Sequence, residues 1–481
     1  MILRCRWIVP ISSPCIDYGA VVVHQDKVVD FGPAPLIEAK HSAHPLRDFP
    51  DAVIMPGFVN VHTHLELTAL RGYLEDLPFW DWIRKLTHTK YQVLSYDDIA
   101  ISALLGAVEA IRAGITTVAD PMDLGASVDA VLASGLRSVL YQECFSPKPA
   151  EAEQVLASLK EKLTSLRRRI RHWPAETSLS EVISHPRFCT PEDWEQRRHR
   201  LQLGLSPHSP YTVSAKLFRK VKAYSDAEGL RLCIHAAESA AESDLLEHGT
   251  GPIMQSYLER GIDWIPPGCS SLQYLDQLGV VQDKTLLVHC VRLDLSDFDL
   301  IESRNARVAH CPKSNWKLGH GYMNLSAMSQ RNIRLGLGSD STASNNSLDF
   351  FEEMRFALFN PSWQIGHAAK RAMAIPPAHT ILRLATLGGA SALGLSSEIG
   401  SIETGKQADL IVVDLSQPHV LPVYSPITTL VCSAKASDVR MTMIGGEIVF
   451  DEGRVIGVDE KLLCRRIEAI REKILNAASQ N

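Results

Sequence analysis

Two histidines one residue apart, His62 and His64, close the apolar run at 52–59 (Ala-Val-Ile-Met-Pro-Gly-Phe-Val). At the end of an extended strand this spacing sends both imidazoles to the same side, where they can share one ion. Further ligand-type residues follow in order, each ending a short apolar run: His235 after 230–234, His289 after 285–288 and Asp340 after 333–339. A lone strand-end histidine is usually a hydrogen-bonded structural group. A succession of polar residues at strand ends points instead to a metal site. His62, His64, His235 and the Asp340 carboxylate make a borderline-soft donor set, for which one divalent ion per chain is expected, Zn²⁺ with Fe²⁺ as the alternative. An ion so held can lower the pKa of bound water from ~15.7 to about 7, so the chemistry indicated is hydrolysis. Protons must also move. Glu238, shortly after His235, is the candidate for delivering one to the leaving group. His289 is placed to orient the attacking oxygen, and Asp340 to accept a proton as well as bind the ion.

Such residues need a scaffold that gathers strand ends. Apolar strand-like segments fall at 53–59, 115–119, 136–141, 201–206, 230–235, 285–289, 306–310 and 333–338, with helical stretches between them such as 97–113 and 216–228. This alternation favours a parallel (β/α)8 TIM barrel, whose strand C-terminal ends converge on one pocket, over a doubly wound sheet. Short strands and turns at both ends of the chain predict a small discontinuous β-sandwich domain. The division expected is 1–54 and 393–457 for that domain, 55–392 for the barrel and 458–481 for a terminal amphipathic helix. Residues 146–200 form a polar insertion with a helix over 150–171 and a tail punctuated by Trp173-Pro174, His185-Pro186 and Thr190-Pro191. It is either a lid over the barrel mouth or an elaborated surface helix pair.

Composition narrows the class. With 45% hydrophobic and 22% charged residues the chain reads as an ordinary globular protein, and a net charge of -6 leaves no electrostatic footprint for nucleic acid or an anionic membrane. The basic cluster at 167–171 reads as a solvated helix face. No apolar run approaches the ~20 residues that cross a bilayer. Ten scattered cysteines, several inside apolar runs, suit reduced buried thiols, and a cytoplasmic location is expected. A homodimer is expected on base rate alone.

The segments His62-Thr63-His64, His235-Ala236-Ala237-Glu238, His289-Cys290, Cys311-Pro312-Lys313-Ser314-Asn315 and Ser339–Asn346 resemble the amidohydrolase superfamily. More narrowly, they are similar to its branch of aminohydrolases and chlorohydrolases acting on nitrogen heterocycles, with S-adenosylhomocysteine and aminodeoxyfutalosine deaminases as the nearest likenesses. The resemblance covers nearly the whole chain, including Gly400–Leu410. It implies a metal held by His62, His64, His235 and Asp340, with Glu238 and His289 as catalytic partners. It also implies substrate contacts from His208, in Ser206-Pro207-His208-Ser209-Pro210, and from Trp82, whose other reading is a residue packed on the barrel rim. Glu66, in His64-Leu65-Glu66-Leu67, either faces the pocket or is a buried structural acid. Where binuclear relatives carry a modified lysine after strand four this chain has Pro207-His208, which implies one metal. Where nucleoside deaminases place a ribose-binding glutamate it has Tyr91 or a neighbour, a departure that weakens S-adenosylhomocysteine as the substrate. The activity implied is hydrolytic deamination of an aminated heterocycle, an adenine-containing nucleoside such as aminodeoxyfutalosine or an adenosine derivative. The alternatives are a chlorohydrolase or other C–N hydrolase acting on a triazine- or guanine-like ring, and a catalytically inactive scaffold, which would be expected to have lost ligands that are all present here.

Overall fold

The computed structural model describes residues 1–175, 177–183, 191–331, 333–363 and 376–479. The N-terminal segment forms β1 (Ile2–Ile8), β2 (Ile16–His24), β3 (Lys27–Pro33) and β4 (Leu46–Pro56). The apolar run at 52–59, expected as one strand, divides between two sheets: β4 stops at Pro56 and β5 covers Phe58–Asn60. Proline has no N–H with which to extend a ladder. Gly57, between them, passes so close to Thr116 that a Cβ would lie 2.1 Å from its Cγ2.

From β5 the chain alternates strand and helix through β6 (Ile115–Met122), β7 (Arg137–Cys144), β8 (Leu201–Pro207), β9 (Leu232–Ala236), β10 (Thr285–His289), β11 (Arg307–His310) and β12 (Arg334–Leu337). All eight strands are parallel and paired in chain order. The first and last then meet: Val61 N–H donates to Leu337 O at 3.0 Å, Asp340 N–H donates to His62 O at 2.9 Å, and Thr63 bridges Asp340 in parallel. The sheet is therefore a closed barrel with no free edge. Its interior packs Val59, Ala119, Tyr141, Cys233, Leu286 and Ala309 into one buried cluster.

The described part of 146–200 supplies a helix, Ala152–His172, along the outer wall of the barrel. Leu159, Leu163 and Leu166 are buried, and Arg169 pairs with Asp129 of the preceding helix, Ser127–Ser134. His185, Pro186 and Thr190 lie outside the described residues.

After the barrel come β13 (Leu410–Asp414), β14 (Val439–Ile444), β15 (Glu447–Asp451) and β16 (Arg454–Val455). They join the N-terminal strands in one mixed sheet of order β16-β15-β14-β13-β4-β1-β2-β3. Both halves share a core that includes Leu3, Val21, Ile54, Val412 and Met443. The terminal helix, Glu460–Ala478, buries Leu463, Ile470 and Ile474. Among the described residues no helix is long and apolar enough to cross a membrane.

Candidate active site

The mouth of the barrel is built from strand ends. Asn60, the last residue of β5, accepts from the N–H groups of His62 (3.3 Å) and Ser339 (3.0 Å) and donates to Ser339 Oγ at 2.7 Å, locking the first strand to the last. His235 stands in β9 and His289 ends β10. Asp340 follows β12, and its Oδ1 lies 3.5 Å from His62 Nε2 and 3.7 Å from His64 Nε2. Its Oδ2 accepts from Ser314 Oγ (2.6 Å) and Ser344 Oγ (2.7 Å), which fixes the carboxylate. Ala237, His289, Cys290 and Asp340 hold positive φ of 52°, 73°, 49° and 56°. Side chains other than glycine rarely adopt this conformation, and it concentrates where a site demands a particular orientation.

One ligand atom each from His62, His64 and His235 lies within 4.8 Å of the other two. Nδ1 of His64 lies 2.9 Å from Pro121 O and Nδ1 of His235 lies 3.0 Å from His208 O. Each must donate to its carbonyl, which leaves the Nε2 lone pair free. His62 is fully buried, and among the described residues neither of its nitrogens has a hydrogen-bond partner. An enclosed imidazole idle at both nitrogens is costly unless a cation takes up a lone pair. Burial lowers the pKa of all three, taking His64 to about 3 and His235 well below the usual range. They are neutral, as ligands must be. With the anionic Asp340, held far below the usual carboxylate range because His62 and the other imidazoles outweigh its burial, this donor set would suit a divalent metal ion.

Glu238 follows β9, three residues after His235. Its Oε1 lies 3.6 Å from His289 Nε2 and 3.3 Å from His320 Nε2. Burial would raise its pKa, but His289 and His320 outweigh burial and bring it to about 2, so Glu238 is an ionised, accepting carboxylate at neutral pH. His289 is oriented from behind by Asn315 Oδ1, 2.8 Å from its Nδ1.

The other sequence candidates fall in different places. His208 reaches the cluster: its ring lies 4.5 Å from that of His235, and Nδ1 is held by Thr212 Oγ1 at 2.9 Å. Burial lowers its pKa to about 4. Trp82 is buried in the helix Phe79–His88, stacked on Phe79 at 6.1 Å, and Phe79 in turn packs edge-on against His320. It stands one ring removed from Glu238's partner, its Nε1 without an acceptor. Glu66 is buried, and its oxygens accept from the N–H groups of Asp123, Leu124 and Ala126. Tyr91 donates to Asp123 Oδ2 at 2.6 Å. Sequence reasoning missed Asn60, Glu143, Asn315 and His320. Asn315 stood inside a quoted motif and Glu143 just beyond an expected strand. His320, between Gly319 and Gly321, carried no signal at all.

Residues 53–449 match the model of the amidohydrolase family. A 5-methylthioadenosine/S-adenosylhomocysteine deaminase of Syntrophobacter fumaroxidans is 31% identical over 462 residues, 95% of this chain and 94% of that one. A 5'-deoxyadenosine deaminase of Methanosarcina mazei is 31% identical over 462 residues and 96% of this chain. A crystal structure of an adenosine deaminase from Xanthomonas campestris with bound zinc superposes with a TM-score of 0.80 at 26% identity, covering 99% of this chain and 98% of that one. A family match over most of the length, on a barrel that gathers these side chains at its mouth, means that the chain belongs to the amidohydrolase family.

Proposed function

We propose that this protein is a metal-dependent hydrolase that deaminates an adenine-containing nucleoside. The observation that carries the reading is the convergence of His62, His64 and His235 within 4.8 Å, with Asp340 beside His62 and His64 and Glu238 beside two further imidazoles. Relatives named as deaminases of adenosine derivatives, alike along nearly the whole chain, support the choice of leaving group. A bound divalent ion would supply an acidified water near neutral pH. Asp340, through Oδ1, takes a proton from the attacking water. His289 holds the attacking oxygen in place. Glu238 takes the water's other proton and delivers it to the ring nitrogen as charge builds there, and the proton held by Asp340 passes by way of Glu238 to the departing amine. Water thus adds at the amino-bearing carbon, the C–N bond breaks, and an oxo ring and ammonia result.

The test is ammonia release from adenosine, 5'-deoxyadenosine, methylthioadenosine and aminodeoxyfutalosine by zinc-replete protein. Turnover is expected on at least one, with loss on exhaustive chelation and return on adding zinc. His62→Ala should lose the metal and the activity together. Metal-replete protein that releases no ammonia from any of the four would sink the reading, and more than one tightly held ion per chain in elemental analysis would overturn the single-metal site.

A further inference from the structure

The proton-handling groups crowd the side of the mouth formed by β9, β10 and β12. The side formed by β7 and β8 carries polar atoms that none of those roles uses. Glu143, next to last in β7, is 5% exposed, and its Oε1 is enclosed with no hydrogen-bond partner among the described residues. A carboxylate atom of Glu143 lies within 4.8 Å of ligand atoms of both His208 and His235. His208 spends Nδ1 on Thr212 and Ser209, so Nε2 remains its free end. The acids around Glu143 are already engaged. Glu66 holds the 123–126 backbone, and Asp123 holds Tyr91 and Lys162. Lys90, buried 3.5 Å from Glu66 and 3.9 Å from Asp123, supplies the countercharge for this wall. Phe145, 37% exposed, lies over the His208 ring at 4.9 Å.

We propose that Glu143 and His208 form a polar subsite on the β7–β8 side of the mouth that binds the hydroxyl-bearing sugar of the substrate. The inference rests on the nucleoside reading above and deepens it. Two atoms no more than 4.8 Å apart can both be reached at about 2.8 Å by a single oxygen lying between them. A hydroxyl both donates and accepts, so it satisfies a carboxyl and an imidazole whichever of them carries the proton. A ring nitrogen without hydrogen can only accept. The amino-bearing end of the ring must meet Glu238 and His289, which leaves the adjoining β7–β8 side for the remainder of the molecule. A buried carboxyl oxygen lacking a partner also penalises any ligand that brings no donor.

The experiment compares kcat/KM on adenosine, 2',3'-dideoxyadenosine and adenine for the wild-type protein, Glu143→Gln and Glu143→Ala. The wild type is expected to prefer adenosine to the dideoxy compound by about 100-fold or more, the range in which a site built for a hydroxyl rejects analogues lacking it. Glu143→Ala should lose most of that preference, chiefly through KM, while changing little on adenine. Glu143→Gln, which keeps an acceptor, should retain part of it. Equal losses on all three substrates, or a wild type indifferent to the hydroxyls, would overturn the subsite while leaving the deaminase reading in place. A wild type silent on every adenine compound would overturn both.

Discussion

Glu238 is flanked by two imidazoles, His289 at the end of β10 at 3.6 Å and His320 in a loop at 3.3 Å, and this arrangement sets the expected behaviour of single substitutions. Glu238→Gln keeps size and hydrogen bonding but cannot carry a proton, so kcat should fall by about 10²–10⁴ with metal content unchanged. His320 acts through Glu238 and so positions it. His320→Ala is expected to lower kcat by about 10-fold with little change in KM, and His320→Gln, which can still donate to the carboxylate, to recover part of the loss. A change in KM alone, or no recovery by the glutamine, would count against that role. The three histidines that converge could be picked out from types and spacing because they follow apolar runs. His320 could not, because its partner lies far away in sequence and a histidine between two glycines has no periodicity to place it.

At the scale of elements, the barrel holds its strand ends by close backbone packing. Gly336 in β12 lies against Gly389 and Val61, where a Cβ would sit 2.6 Å from Gly389 Cα and 2.7 Å from Val61 Cγ1. Backbone cannot yield as a flexible side chain can, so Gly336→Ala is expected to destabilise by about 1–3 kcal/mol in urea unfolding. The helix Phe350–Leu358 carries a second consequence. Its Glu353 is wholly buried, bonded to Asn345, and burial pushes its pKa up to about 8. Since the unfolded value is near ~4.3, the folded state holds the proton more tightly. The stabilisation is complete below the unfolded value and is lost as pH rises through about 8. The wild type should therefore lose more Tm between pH 5 and pH 9 than Glu353→Gln, which stays neutral and keeps the bond to Asn345. Parallel Tm profiles for the two proteins would contradict this.

For the whole molecule, barrel and mixed sheet are joined by buried charge. Arg137 at the start of β7 donates to both oxygens of Asp409 at 2.7 and 3.0 Å, and Asp409 also accepts from Gly445 N–H at 2.7 Å. Arg197 and Arg200 converge on Glu447 of β15. Removing one partner of a buried pair strands the other, so Asp409→Ala is expected to cost about 3–5 kcal/mol. The double variant Arg137→Met with Asp409→Leu should recover much of that. If the double variant is as unstable as the single one in denaturant unfolding, the pair is not what couples the two parts.

The order of strands and helices, and the strand-end histidines that converge, were legible from local pattern alone, because burial at period two and a polar residue at the strand terminus are properties of contiguous residues. The division of 52–59 between two sheets was not, because it depends on Thr116 approaching Gly57 from a later strand. Nor could sequence decide between the two roles open to Glu66. The 123–126 backbone that takes up its carboxylate is brought there only by folding, as are the partners of Glu143 and His320. Residue type and spacing thus determined which chemistry the chain can perform, whereas contacts between residues distant in sequence decided which side chains are free to perform it.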